Sequence, residues 1–206
     1  MRAGRLEFVN GDWAGSDEAC AAFDDILNSV MTGHAFLRSE FGIVPRVGWL
    51  GDTIDHSAGY ARLQADLGLQ ALIFGKMNTR EIERRAADHS LDFVWRPHAE
   101  HFGGTKQLLV SAMQDDACSF LDSQPFITDP SLKSYNAEQK SKALIEHIER
   151  LASGRRSVNI LLPVGCEHQW SNAKFQFDQL DKVMDFVNKR LAESGKDVSL
   201  FYSTAG

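Results

Sequence analysis

Cysteine is scarce in this chain. Cys20, Cys118 and Cys166 are too few and too far apart for a disulfide framework or a Cys-x-x-Cys zinc site. Long apolar runs are missing as well: nothing approaches the ~18–20 residues of a membrane span. Met1-Arg2-Ala3-Gly4-Arg5 leads into a mixed segment without the apolar core of a signal peptide, so the chain as written carries no secretory address. Nor is there an excess of positive charge. The 22 basic and 28 acidic residues leave a net −6, which gives no electrostatic ground for nucleic acid or an anionic membrane as partner. Repeats and low-complexity tracts are absent. What remains is 206 residues of which 43% are apolar, 10% aromatic and 24% charged, the composition of an ordinary soluble globular protein with enough chain for one sizeable domain, 1–206.

The order of elements is informative. Leu6-Glu7-Phe8-Val9-Asn10 reads as a short strand, and Ser16-Asp17-Glu18 as the start of a helix whose apolar positions Phe23, Ile26, Leu27, Val30, Met31 and Leu37 recur at helical spacing up to Gly42 and Pro45. Arg46-Val47-Gly48-Trp49-Leu50 reads as a buried strand. Ser57 caps a helix closed by Gly68, and Ala71-Leu72-Ile73-Phe74 follows as a strand. Asn78 with Glu81 resembles a capping box opening a charged helix, after which Phe93-Val94-Trp95 is again a strand. The stretch from His98 to Asn136 is irregular, with a short strand at Leu108-Leu109-Val110 and loop signals at Gln124-Pro125 and Asp129-Pro130. Asn136 with Gln139 offers a second capping box, for a helix ended by Gly154. A strand over 158–164, a long helix carrying Phe177, Leu180, Met184, Val187 and Leu191 on one face, and a strand over 198–202 complete the chain. Strands without strict alternation, separated by helices, predict an α/β fold with a mostly parallel sheet covered on both faces, either doubly wound or a barrel. Its sites should lie beyond the C-terminal ends of the strands.

Two segments satisfy that rule. Gly51-Asp52-Thr53-Ile54-Asp55-His56-Ser57 leaves a buried strand and enters a helix, and its two carboxylates and imidazole suit a divalent metal, a nucleophile, or both. The same residues also make an ordinary helix start with His56 at the surface. Gly165-Cys166-Glu167-His168-Gln169-Trp170 follows the second strong strand. There Glu167 could serve as a general acid with its pKa raised by burial and by Trp170, or could be a solvated loop carboxylate; a Cys166/His168 nucleophile pair is the weaker idea. His34 reads as a core histidine bonded on an apolar face and His147 as an exposed one. His98 and His101 stand at His-x-x-His spacing in a loop, a weak metal cue. Trp13 and Trp95 are core or rim aromatics, although flat rings at strand ends also suit sugar faces.

These residues fall into a recognisable series. Gly4-Arg5-Leu6-Glu7-Phe8-Val9-Asn10-Gly11-Asp12-Trp13 with Ser16-Asp17-Glu18-Ala19 resembles the early signature of the catalytic domain in glycoside hydrolase family 38, the class II α-mannosidases. Arg46-Val47-Gly48-Trp49 with Asp52 and His56-Ser57-Ala58, then Phe93-Val94-Trp95-Arg96, then Gln124-Pro125 with Asp129-Pro130 and Tyr135-Asn136-Ala137 follow in the family's order. Gly165-Cys166-Glu167-His168-Gln169-Trp170 with Asn172-Ala173, Leu180-Asp181-Lys182 and Tyr202-Ser203-Thr204 complete a collinear series over almost the whole chain, closest to the lysosomal-type subgroup. The resemblance implies a (β/α)7-type barrel, retaining hydrolysis of α-linked mannose in N-glycan-type oligosaccharides, a zinc ion that holds the terminal sugar, and a lysosomal or other endomembrane location. It places the nucleophile, which is also a zinc ligand, on Asp52 and the acid/base on Glu167, with Lys76, Trp13 and Trp170 facing the substrate.

The series also departs from the family. Its Asp-Pro-Phe-Gly-His run reads Asp52-Thr53-Ile54-Asp55-His56, its acid/base Asp is Glu167, and a substrate-facing arginine is Lys76, which gives up bidentate geometry. The loop between Trp95 and Gln124 is shorter and holds no recognisable substrate tyrosine. The family's His-x-Asp zinc motif would precede Met1 and its other histidine ligand would follow Gly206. The expectation is therefore an incomplete barrel, truncated at both ends, that carries Asp52 as one metal ligand and binds zinc poorly by itself. Two alternatives stand beside this reading: a polysaccharide deacetylase-like barrel with Asp52, Asp55 and His56 on its metal, and an inactive carbohydrate-binding remnant.

Overall fold

In the computed structural model of the chain, the described residues are 4–51, 56–114, 125–165 and 169–206. They belong to two compact units. The first comprises Met1–Gln114, Gly154–Arg156 and Thr204–Gly206, and the second Asp115–Ser153 and Ser157–Ser203.

The first unit is an α/β layer. Helix α1 (Phe23–Phe41), strand β1 (Val47–Leu50), helix α2 (Ala58–Asp66), strand β2 (Ala71–Phe74), helix α3 (Thr79–Ala87), strand β3 (Asp92–Trp95), a single turn α4 (Ala99–Phe102) and strand β4 (Leu108–Ala112) follow one another. The sheet order is β1-β2-β4-β3, and it is open among the described residues. β1, β2 and β4 run parallel, with Leu50 opposite Phe74 and Phe74 opposite Ala112. β3 runs antiparallel to β4, Asp92 standing opposite Ser111. The mostly parallel sheet agrees with the sequence; the reversed edge strand was not legible, because apolar pattern carries no sign of strand direction.

Alternation separates two faces. Leu50, Leu72, Phe74, Leu108, Val110 and Ala112 share a core with Ile26 and Val30 of α1 and Tyr60, Ala61 and Ala65 of α2, and Ile82 and Ala86 of α3 pack at its margin. The opposite face bears Val94 and Leu109, each more than half exposed, together with Ser111 and Asp92. Arg155 is buried there. It pairs with Asp92 and donates to Ser111 Oγ at 2.9 Å and to the Ala112 carbonyl at 2.6 Å.

Local signals hold where they depend only on neighbours in sequence. The Ser57 hydroxyl accepts from the Tyr60 N–H at 3.0 Å, the Asn78 side chain accepts from the Arg80 N–H at 3.0 Å, and Gly42 and Gly68 adopt positive φ past α1 and α2. Two expectations for this unit fail. α1 begins at Phe23 rather than at Ser16-Asp17-Glu18, because the Ser16 hydroxyl donates to Asp12 at 2.9 Å and Asp17 closes a separate turn with Cys20 and Ala21. Residues 6–10 form no ladder: the Asn10 N–H donates to the Val47 carbonyl at 2.9 Å, and its amide side chain then accepts from the Trp49 N–H and donates to the Trp49 carbonyl. Asn10 therefore closes the edge of β1 with a side chain in place of a strand.

The second unit contains α5 (Ala137–Ser153) and α6 (Ala173–Glu193), packed about Phe126, Leu144, Val183, Val187 and Leu191. Asn136 does not cap α5; its amide bonds the Ile127 N–H and the Pro125 carbonyl, both at 2.9 Å. The expected strands at 158–164 and 198–202 form no ladder among the described residues.

Candidate functional site

The C-terminal ends of the three parallel strands are drawn together by ordinary backbone bonds. The Gly75 N–H donates to the Leu50 carbonyl at 3.2 Å, and the Met113 N–H donates to the Phe74 carbonyl at 2.8 Å. Two glycines permit the approach of the loops. A Cβ on Gly75 would stand 2.9 Å from the Gly51 carbonyl oxygen and 3.1 Å from Met113 Cε, and one on Gly51 would stand 2.7 Å from the Trp49 indole nitrogen.

His56 fastens the first two loops. It precedes the Ser57 cap of α2, donates from Nε2 to the Gly75 carbonyl at 2.8 Å, and stacks on Phe74 with ring centroids 4.2 Å apart. A carbonyl only accepts, so Nε2 carries the proton of that bond. Nδ1 is buried and has no hydrogen-bond partner among the described residues. The surface position first considered for His56 is therefore corrected: the ring is half-buried and ties β1's loop to β2's.

A carboxylate that sequence reasoning passed over lies in the same unit. Asp12 accepts from the Ser16 hydroxyl at 2.9 Å and from the Tyr60 hydroxyl at 3.5 Å, while its Oδ1 is buried with no partner among the described residues. Burial pushes its pKa upward, against the lowering effect of Ser16, His34 and Tyr60. Tyr60 is driven up as well, by burial first and by the Asp12 charge second. Glu18 accepts from the Ser57 N–H at 3.1 Å, joining the segment after Trp13 to the start of α2. The one sequence signal for Asp12 was a tyrosine at an otherwise apolar helix position.

The expected site residues have different fates. Asp52 and Asp55, like Cys166, Glu167 and His168, lie outside the described residues. Trp13 is in the first unit, 63% exposed, its ring edge-on to Phe36 at 5.5 Å. Lys76 is exposed on the loop after β2 and holds a positive φ of 50°. Trp170 belongs to the second unit, where it packs on Phe177 at 5.0 Å. Phe177 in turn meets Tyr202, whose hydroxyl donates to Asp181 at 2.8 Å; burial and Asp181 push the phenol up to about 12. His34 bonds the Asn10 carbonyl at 2.8 Å, and His147 is half-buried against Arg150 rather than exposed.

Among the described residues no three metal-ligating side chains converge. His98 and His101 both approach Glu100, on the surface. No described helix is long and apolar enough to cross a membrane.

Comparison with known proteins gives the family context. Residues 1–205 match the family model described as the glycosyl hydrolases family 38 N-terminal domain. The chain is 31% identical over 210 residues to the lysosomal alpha-mannosidase of Dictyostelium discoideum, 32% over 214 residues to an alpha-mannosidase of Canavalia ensiformis, and 30% over 221 residues to the lysosomal alpha-mannosidase of Felis catus. Each alignment covers 99% of this chain and 20% or 21% of the relative, so the chain spans about a fifth of the length of these proteins. The match favours a glycosidase over a deacetylase-like enzyme.

Proposed function

Because the chain belongs to glycoside hydrolase family 38, we propose that it forms part of the catalytic domain of a retaining α-mannosidase that removes α-linked mannose from N-glycan-type oligosaccharides. The observation that carries this reading is the family match along residues 1–205, at about 30% identity to relatives named alpha-mannosidases. The three parallel strand ends that converge on Gly51, Gly75 and Met113 support it, since this is where an α/β domain builds its site.

In the proposed reaction the Asp52 carboxylate attacks the anomeric carbon. The C1–O bond to the leaving sugar breaks as Glu167 hands its proton to the departing oxygen, leaving a glycosyl ester on Asp52. Water then attacks C1, gives its proton to Glu167, and releases Asp52. Lys76, Trp13 and Trp170 would contact the sugars, the lysine by a single charge and the indoles by stacking. Metal dependence comes with the family, and zinc, with Asp52 as one ligand, is proposed here as a property of the whole protein, as is a lysosomal or other endomembrane location. The finer architecture is a (β/α)7-type barrel to which 1–206 contributes as a single domain. Support comes from the parallel β1-β2-β4 ladder, with its helices gathered on one face as in a barrel wall.

The test is release of nitrophenol from 4-nitrophenyl α-mannoside by the full-length protein with zinc titrated in. Asp52→Ala should remove turnover, and Glu167→Gln should slow it by ~10²-fold or more while leaving a trapped glycosyl ester detectable by mass. Turnover that survives Asp52→Ala would rule out Asp52 as nucleophile.

A further inference from the structure

We propose that residues 10–18, a segment without helix or strand, clasp both described ends of the connection between β1 and α2, and that Glu18 is a positioning residue for it. The consequence for catalysis rests on the reading of Asp52, which lies in that connection, as nucleophile; the clasp rests on bonds within the first unit. At the upstream end the Asn10 amide accepts from the Trp49 N–H and donates to the Trp49 carbonyl, one residue before β1 ends. At the downstream end Glu18 accepts from the Ser57 N–H at 3.1 Å, and Asp12 takes the Tyr60 hydroxyl at 3.5 Å in the first turn of α2. The Asn10 and Glu18 grips each join residues 39 apart, so the segment starts and ends where the connection does.

The clasp is itself anchored. The Trp13 N–H donates to the Ser29 carbonyl at 3.0 Å and the Ala14 N–H to the Ser29 hydroxyl at 3.3 Å, which fixes its middle on α1. Ile26 and Val30 hold α1 to the core on either side of Ser29. The Ser16 hydroxyl reaches back to Asp12 at 2.9 Å, and Asp17 closes the turn that presents Glu18, its carboxylate accepting from the Ala19 N–H at 3.0 Å and its carbonyl from the Cys20 N–H at 3.1 Å. A surface turn that only joined two elements could leave these groups to water.

Glu18 holds the connection at a sensitive point. Ser57 is the N-cap of α2, its hydroxyl accepting from the Tyr60 N–H at 3.0 Å, and His56 before it is tied to the Gly75 carbonyl at 2.8 Å. A carboxylate beside the first turn of a helix bonds an N–H more strongly than a neutral acceptor does and is favoured by the helix dipole. The entry into α2 is thereby fixed from two sides, by β2's loop through His56 and by the clasp through Glu18. A nucleophile must be held within about 0.5 Å of its productive position, and a short connection holds it no better than its own ends are held.

The experiment compares wild type with Glu18→Ala and Glu18→Gln in the full-length protein, by peptide-resolved hydrogen exchange and by kcat/KM on 4-nitrophenyl α-mannoside. In Glu18→Ala, exchange should speed up in peptides covering 56–60; Glu18→Gln, which keeps an acceptor oxygen at the same length, should exchange as wild type does. kcat/KM should fall roughly tenfold in the first and no more than about threefold in the second. Melting temperatures of all three should agree within about 3 °C, whereas a merely structural role would lower stability and turnover together. Wild-type exchange at 56–60 in Glu18→Ala would overturn the clasp. Faster exchange with unchanged kcat/KM, a tenfold loss shared by Glu18→Gln, or a loss matched by a larger fall in melting temperature would overturn the positioning role. Exchange in the expected order in a protein that leaves mannosides intact keeps the clasp and removes the mannosidase reading. Mannoside turnover with exchange at 56–60 indifferent to Glu18→Ala does the reverse.

Discussion

Asn10 and Asn188 make the same pair of hydrogen bonds in two settings. Asn10 accepts the Trp49 N–H and returns an N–H to the Trp49 carbonyl; Asn188 accepts the Leu200 N–H at 2.7 Å and returns one to the Leu200 carbonyl at 2.9 Å. A primary amide reproduces the donor–acceptor pair of a neighbouring strand, so each satisfies one residue of extended chain. In the first unit that residue lies in a ladder whose next strand, β2, contains Leu72 at 1% exposure. In the second it lies in an unladdered segment where Phe201 is 71% exposed. The comparison teaches that the amide is an edge device: it closes a sheet that already exists, and it does not create one where neighbours are missing.

The largest test of that contrast is Arg155→Met. Its guanidinium is the buried partner of Asp92 and also holds Ser111 and the end of β4, so its loss leaves an uncompensated carboxylate in the first unit. Denaturant unfolding should show a cost of about 3 kcal/mol, and restoration by the double change with Asp92→Leu would show that the stranded charge is the cause.

Gly33→Ala comes next. A Cβ there would meet the Gly11 carbonyl and stand 2.6 Å from the Trp13 backbone nitrogen, neither able to rotate away. Overpacking of this kind costs roughly 2–3 kcal/mol and should lower the melting temperature. Unchanged stability would mean that the loop after Asn10 yields easily.

Asn10→Leu and Asn188→Leu sharpen the comparison directly. Each removes two bonds, but Trp49 sits in a ladder with buried neighbours while water reaches the chain about Leu200. Losses of about 2 and about 1 kcal/mol, respectively, are expected, and equal losses would make the two settings equivalent.

The smallest effect is one of pH. The folded pKa of Asp12 lies above its ordinary 3.8, so the native state binds more protons than the unfolded chain between those two values. Stability should therefore fall as pH rises from about 3.8 through the raised value. Asp12→Asn, still able to accept from Ser16, should flatten that segment of a urea midpoint-against-pH curve.

Much of the first unit was legible because its signals are local. Ser57 and Asn78 cap through their own side chains, Gly42 and Gly68 turn the chain by their own φ, and the strands at 47–50, 71–74, 92–95 and 108–112 fall where apolar runs end at turn residues. Asp12 was illegible because its partner Tyr60 is distant in sequence and on another element.

The sequence by itself determined the alternation of helix and strand, the two candidate loops after strong apolar runs, and the family. Only the tertiary structure decided that β3 runs backwards, that 158–164 and 198–202 join no ladder among the described residues despite their composition, and that three asparagines stand in for backbone partners. The reason is that a helix satisfies its hydrogen bonds within itself, whereas a strand depends on a neighbour whose presence and direction no run of residues encodes.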